Sequence, residues 1–164
     1  MDINTLIFAQ LVRKFEEIRD TLKKGIDQLD DDEVNYRPNY ESNTIANLVV
    51  HIEGNILQRI GTGLHGYQDE RSRENEFSRE LYVSKDELLN RIDHSFALLI
   101  ESTKKLQYED LLREIEVRGK ARTIYEVLQQ CATHYSEHLG QILYISKICL
   151  GSSYKTTSIY KKTF

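Results

Sequence analysis

Residues 123–151 read TIYEVLQQCATHYSEHLGQILYISKICLG, and this stretch decides the fold. Thr123-Ile124-Tyr125-Glu126 is a capping box, in which the Thr hydroxyl and the Glu carboxylate each bond the other residue's backbone N–H at a helix start. Ile124, Leu128, Cys131, Tyr135, His138, Ile142, Ile145 and Cys149 then recur at alternating steps of four and three. That is the line of a helix facing a core, and Gly151 supplies its stop.

Three further segments carry the same signature. From about Asn4 to Leu29, the residues Leu11, Phe15, Ile18, Leu22, Ile26 and Leu29 form an amphipathic stripe, broken by the four acids Asp30 to Glu33. Tyr36-Arg37-Pro38-Asn39 reads as an extended or turning connection, because the residue before Pro avoids the α region. Ser42, Asn43 and Thr44 offer N-caps for a second helix, whose apolar face of Ile45, Leu48, Val49, Ile52, Ile56 and Ile60 reaches about Gly61. A third opens at the capping box Ser84-Lys85-Asp86-Glu87 and shows Leu88, Ile92, Phe96, Leu99 and Leu106 on one side. Between the second and third lie the 23 residues from Gly61 to Val83, rich in Gly and charge. Adjacent antiparallel helices are joined by 2 to 8 residues, so this segment reads as a crossover between parallel helices. Tyr108 to Leu112 suggests a further helical turn. Glu114-Ile115-Glu116-Val117 alternates before the turn Arg118-Gly119-Lys120, which predicts a small hairpin. The expected fold is therefore all-α, a four-helix bundle with a long crossover between its second and third helices and a small β-hairpin before the fourth.

Composition narrows the function. A chain of 164 residues fits one domain spanning 1–164, with 152–164 as a tail, and is large enough to fold without a disulfide or structural metal. The net charge of −4 lacks the basic footprint of a nucleic-acid binder, and the lysines of the tail, Lys155, Lys161 and Lys162, read as solvated. No apolar run is long enough to span a bilayer, and Met1-Asp2-Ile3-Asn4 does not resemble a signal peptide, so a cytoplasmic protein without membrane partners is expected. Cys131 and Cys149, about 27 Å apart along one helix, cannot pair with each other.

Five histidines remain to be explained. His134 and His138 are one turn and about 40° apart on the fourth helix, close enough to converge on one ion or to be two structural imidazoles. His51 flanks the buried stripe of the second helix. Three neutral imidazoles leave a fourth coordination position for water or substrate. His65, in the Gly-rich crossover, and His94, turned about 160° from Ile92, read as surface residues. His134-Tyr135-Ser136-Glu137-His138 also matches the inverted zincin pattern H-x-x-E-H, but no acid follows Glu137 to complete such a site, and Glu137 itself points to solvent. Asn55, one turn beyond His51, has two open readings: it orients a ligand or water at the site, or it makes an inter-helix hydrogen bond. Cys131, one turn before His134, is either core filler or a redox partner or fourth ligand.

Tyr36-Arg37-Pro38-Asn39-Tyr40-Glu41-Ser42-Asn43-Thr44-Ile45-Ala46-Asn47-Leu48-Val49-Val50-His51, then Gly54-Asn55, then His134-Tyr135 to His138-Leu139-Gly140-Gln141-Ile142 resemble the DinB/YfiT-like superfamily of bacterial proteins. The resemblance extends to the Asp/Glu/Arg-rich segment Asp69 to Glu80 and covers nearly the whole chain. It implies a four-helix bundle, a divalent metal (commonly zinc or nickel) on His51, His134 and His138, and a homodimer. Relatives in the superfamily include metal-dependent transferases that use small thiols such as bacillithiol or mycothiol. The resemblance thus implies transfer of a small-molecule thiol to an electrophile; a metal on three imidazoles would alternatively lower the pKa of a bound water for hydrolysis. The competing expectation is a non-catalytic, stress-associated metal-binding protein. The chain has no Trp, so any indole usual near such a metal is replaced here by Tyr or an aliphatic residue.

Overall fold

The computed structural model describes residues 3–157 and bears out the bundle. Met1, Asp2, Lys161 and Lys162, on which two of the sequence expectations rest, lie outside the described residues. Four long helices form the body: α1 (Ile3–Ile26), α3 (Ile45–Ile56), α6 (Lys85–Lys105) and α7 (Ile124–Leu150). Short helices α2 (Asp31–Val34), α4 (Gly63–His65) and α5 (Arg73–Glu76) fill the connections, and β1 (Glu114–Val117) pairs antiparallel with β2 (Lys120–Thr123). No described helix is long and apolar enough to cross a membrane.

Each predicted stripe is buried except at Leu106, His138 and Cys149, which are half-buried. Leu11, Phe15, Ile18, Leu22, Ile26 and Leu29 of the first segment meet Leu48, Ile52 and Ile56 of α3, Leu88, Ile92, Phe96 and Leu99 of α6, and Ile124, Leu128, Tyr135 and Ile142 of α7 in one apolar cluster. Both α1 and α3 pack against α6 and α7, so the two pairs lie across the diagonals of the bundle. Glu53 of α3 pairs with Arg91 of α6, and Gly61, past the end of α3, faces Leu98 of α6. The two helices therefore run parallel, as the long crossover requires. Lys23 pairs with Asp93 and Glu16 with Lys104, which sets α1 antiparallel to α6.

Four expectations need correction. The acids after α1 do not merely break the helix. Asp30 and Glu33 form a reciprocal capping box, and their negative charge at the first turn favours the short helix α2. The α3 segment does not stop at Gly61; it continues through a π turn, Leu57–Thr62, into α4 and ends at Gly66, whose φ of 73° is a left-handed stop. At α6 only half of the expected capping box forms. The Ser84 hydroxyl accepts from Glu87 N–H, but the Glu87 carboxylate turns to Arg91 at 2.9 Å. The hairpin turn is the two residues Arg118-Gly119, with φ of 55° and 70°, and Lys120 already belongs to β2. Positive φ at both positions suits the twist of a tight hairpin, and Arg118 is the one described non-glycine residue held there.

Candidate metal centre

Thr44 and Asn47 start α3 with a reciprocal cap, and Asn47 Nδ2 donates to the carbonyl oxygens of Glu76 and Ser78. The crossover is thereby pinned across α3 at the level of His51. On the opposite wall α7 presents His134 and His138 one turn apart. His134 Nε2 lies 3.3 Å from His51 Nε2 and 2.9 Å from His138 Nε2. The three imidazoles each bring a ligand atom within 4.8 Å of the others, and among the described residues they form the donor cluster close enough to hold one ion.

The donor chemistry fits a divalent cation. Nitrogens about 2.0–2.1 Å from one ion lie about 2.9 Å apart at a right angle and about 3.3 Å apart at the tetrahedral angle, the range spanned by the two contacts. His51 Nδ1–H donates to the Glu76 carboxylate at 2.8 Å, and His138 Nδ1–H donates to Gln141 Oε1 at 2.8 Å. Each bond fixes a tautomer whose Nε2 lone pair points into the cluster, the usual support for a ligating histidine. His134 Nδ1 is buried without a partner. Burial, followed by repulsion from His138 and His51, holds the His134 pKa down to about 4, and burial also lowers that of His138. Both are neutral at pH 7, as metal ligands must be.

Glu76 went unnoticed in the sequence because it lies in a non-periodic acidic segment. It is 3% exposed, and Arg71 grips both its oxygens, through Nε at 2.6 Å and Nη2 at 2.8 Å. Burial works to raise its pKa, but the hydrogen bonds from Arg71 and His51 outweigh it and hold the carboxyl below its usual value. The ion pair approaches α3 at Gly54, where a Cβ would stand 2.2 Å from Glu76 Oε1. Phe77 completes the support with its ring centroid 4.7 Å from that of His51. One sequence signal could have found Glu76: a ligating histidine wants a carboxylate behind it, and an acid-rich crossover is its nearest source.

His51 and His134, but not His138, line a cleft of about 250 Å³. His51, Asn55 and Arg59 stand at successive four-residue steps along one wall, Gln130, Thr133 and His134 form another, and Arg73, Arg118 and Glu137 stand at the cleft as well. Asn55 is 1% exposed and its Oδ1 has no hydrogen-bond partner, so the inter-helix bond expected as one of its two roles is not made through that oxygen. Cys131 is core: its sulfur is fully buried and accepts from Tyr135 O–H at 3.3 Å, and burial pushes the thiol pKa up. His65 and His94 are exposed, as expected, with His65 Nε2 2.7 Å from Ser102 Oγ. Glu137 is exposed too, at the edge of the cleft. A larger cavity of about 440 Å³ reaches Glu76 and Arg71 but touches none of the three histidines.

With this geometry in place, comparison with known proteins is decisive for the family. The family described as Protein of unknown function (DUF1572) has a model that matches residues 2–163. The chain belongs to DUF1572. Solved structures similar to this DUF1572 chain include a DinB-like protein from Bacillus cereus ATCC 10987, 14% identical, covering 85% of this chain and 90% of that one with a TM-score of 0.65. A conserved protein from Enterococcus faecalis is 18% identical over 92% of this chain and 99% of its own, with a TM-score of 0.69. A DinB-like protein from Bacillus subtilis is 18% identical over 94% and 99%, with a TM-score of 0.68. These likenesses establish the DinB-like fold and agree with the DinB/YfiT-like resemblance of the sequence. No curated protein matches the chain.

Proposed function

We propose that this DUF1572 protein is a divalent-metal enzyme in which His51, His134 and His138 hold zinc or nickel, and that it joins a low-molecular-weight thiol to a small electrophile. The observation that carries the reading is the convergence of three imidazoles, two of which line a cleft, with His51 braced by a buried carboxylate. A metal bound there would supply a positive charge that favours thiolate over thiol at neutral pH. The chain's own residues do the rest. Glu76 and Gln141 orient two imidazoles, Phe77 of the crossover packs against His51, and Asn55 offers an unpaired buried oxygen to hydrogens of the bound molecule. In the transfer, the thiol releases its proton to solvent, sulfur bonds to the electrophilic carbon, and the leaving group departs with the electron pair of the broken bond.

The test is elemental analysis of purified protein with His51→Ala, His134→Ala and His138→Ala beside it. One zinc or nickel per chain in the wild type and none in the variants is expected. Metal retained by all three variants, or none in wild type after supplementation, refutes the site. Metal-loaded protein is then incubated with bacillithiol and monochlorobimane, and fluorescence is followed. Metal-dependent conjugation is expected, whereas metal binding without turnover on any thiol favours the non-catalytic binding protein.

A further inference from the structure

The cleft beside the histidines holds positive charge that the protein does not neutralise. Arg59 is 6% exposed, and its Nε and Nη1 are buried with no hydrogen-bond partner. A guanidinium is charged at every physiological pH. Arg59 meets the Cys131 thiol but pairs with no carboxylate among the described residues, and a buried charge without a counter-ion is among the costliest features a fold can retain. Such a group is kept where something outside the chain completes it. Arg59 lies within the π turn that extends α3, and π turns in helices concentrate at functional sites.

The other cations come from separate parts of the chain. Arg73 stands on α5, and Arg118 sits at the hairpin tip in a left-handed conformation that a non-glycine residue seldom adopts. Arg118 is fixed there by its Nε donating to Gln58 Oε1 at 2.8 Å, while Gln58 also accepts from Arg71 Nη1 at 2.8 Å. Burial, then the repulsion of Arg71, Arg59 and Arg73, pulls the Arg118 pKa below the ordinary guanidinium value. Against the three arginines lining the cleft stands one lining carboxylate, the exposed Glu137; Glu76, nearby, is already saturated by Arg71 and His51. In a chain of net charge −4, this is a concentration of guanidinium forks at one opening. Guanidinium forks match the geometry of oxyanions.

We propose that Arg59, with Arg73 and Arg118 at the cleft around it, forms a subsite for the oxyanion of a small molecule, a carboxylate or a phosphate, next to the histidine cluster. As the part of the proposed metal site that selects substrate, it rests on that reading. As an anion site it stands on the arginines alone, and testing it on metal-free protein lets the two fail separately.

The experiment is a heteronuclear NMR titration of chelator-treated full-length protein, following the Arg59 Nε–H resonance, with inorganic phosphate in one arm, sodium acetate in another and sodium chloride as control. Saturable shifts with a dissociation constant below about 10 mM for phosphate, acetate or both are expected, and chloride should give none. Phosphate alone assigns a phosphate-bearing ligand, acetate alone a carboxylate, and both a general oxyanion site. Loss of a hydrogen bond to a charged group predicts about a tenfold or greater weakening in Arg59→Met. Arg118→Gln, at an exposed position, should weaken binding several-fold with an unchanged melting temperature, and it decides the matter if Arg59→Met fails to fold. No saturation in either arm, or binding indifferent to both substitutions, overturns the proposal.

Discussion

Replacing Gly54 by Ala adds one methyl group at the point where the crossover leans on α3. Its Cβ would stand 2.2 Å from Glu76 Oε1, 3.1 Å from Glu76 Cδ and 3.3 Å from Arg71 Nε. Non-bonded atoms need well over 3 Å, so the carboxylate must withdraw by about 1 Å. It cannot do so freely, because the same group accepts from Arg71 at 2.6 Å and from His51 at 2.8 Å. Two effects then oppose each other in the metal-free protein. Ala in a helix gains about 1 kcal/mol over Gly, whereas overpacking costs about 1–3 kcal/mol. The net is a loss of about 0–2 kcal/mol, a fall in melting temperature of up to about 8 °C at this chain length. Metal affinity should fall further, by about 10–100-fold, because the His51 brace is displaced. Thermal melts of chelator-treated protein measure the first quantity and competition with a zinc-binding dye the second. If Gly54→Ala binds zinc as tightly as the wild type, Glu76 does not support the site through His51 and the reasoning fails.

Gly140→Ala is the matched control: a Cβ there meets nothing within 4 Å, so the variant should melt about 2–4 °C higher with unchanged metal affinity. Glu76→Ala leaves Arg71 buried and unpaired and should cost about 3–5 kcal/mol in urea unfolding, while a loss under 1 kcal/mol would contradict the ion pair's burial. The metal-free protein should weaken as the pH falls from about 6.5 towards 4. Folded His134 titrates near 4 and folded His138 below 6.5, so in that window the unfolded chain binds more protons, and urea midpoints at pH 5 should lie below those at pH 7.5. Equal midpoints would show that the two imidazoles are not held neutral. Zinc at about 100 times its dissociation constant should raise stability by about 2.7 kcal/mol, or about 5–10 °C in a melt, and His134→Ala should abolish that rise.

The parts legible in the sequence were those governed by periodicity. Stripes such as Leu11-Phe15-Ile18-Leu22 announced both the helices and their inward faces, and the same periodicity put His134 and His138 on one face of α7, across the bundle from His51. The parts that were not legible depend on segments meeting in space. Glu76 braces His51 only because Asn47 pins the crossover and Gly54 leaves room, and nothing in the pattern of residues 66–83 signals either. The arginine cleft is assembled from the α3 extension, α5 and the hairpin tip, so Arg59, Arg73 and Arg118 look like ordinary surface charges when read in order. The π turn after Ile56 was hidden because its apolar spacing resembles that of an α-helix. The hairpin turn is one residue shorter than the sequence suggests, because Arg118 adopts a left-handed conformation that its side chain does not advertise.

X-ray absorption at the zinc edge of the zinc-loaded protein tests the central claim most directly. Three imidazole nitrogens at about 2.0–2.1 Å with a further light ligand, and no sulfur, are predicted for a site on His51, His134 and His138. A sulfur shell at about 2.3 Å, or fewer than three imidazoles, would contradict it.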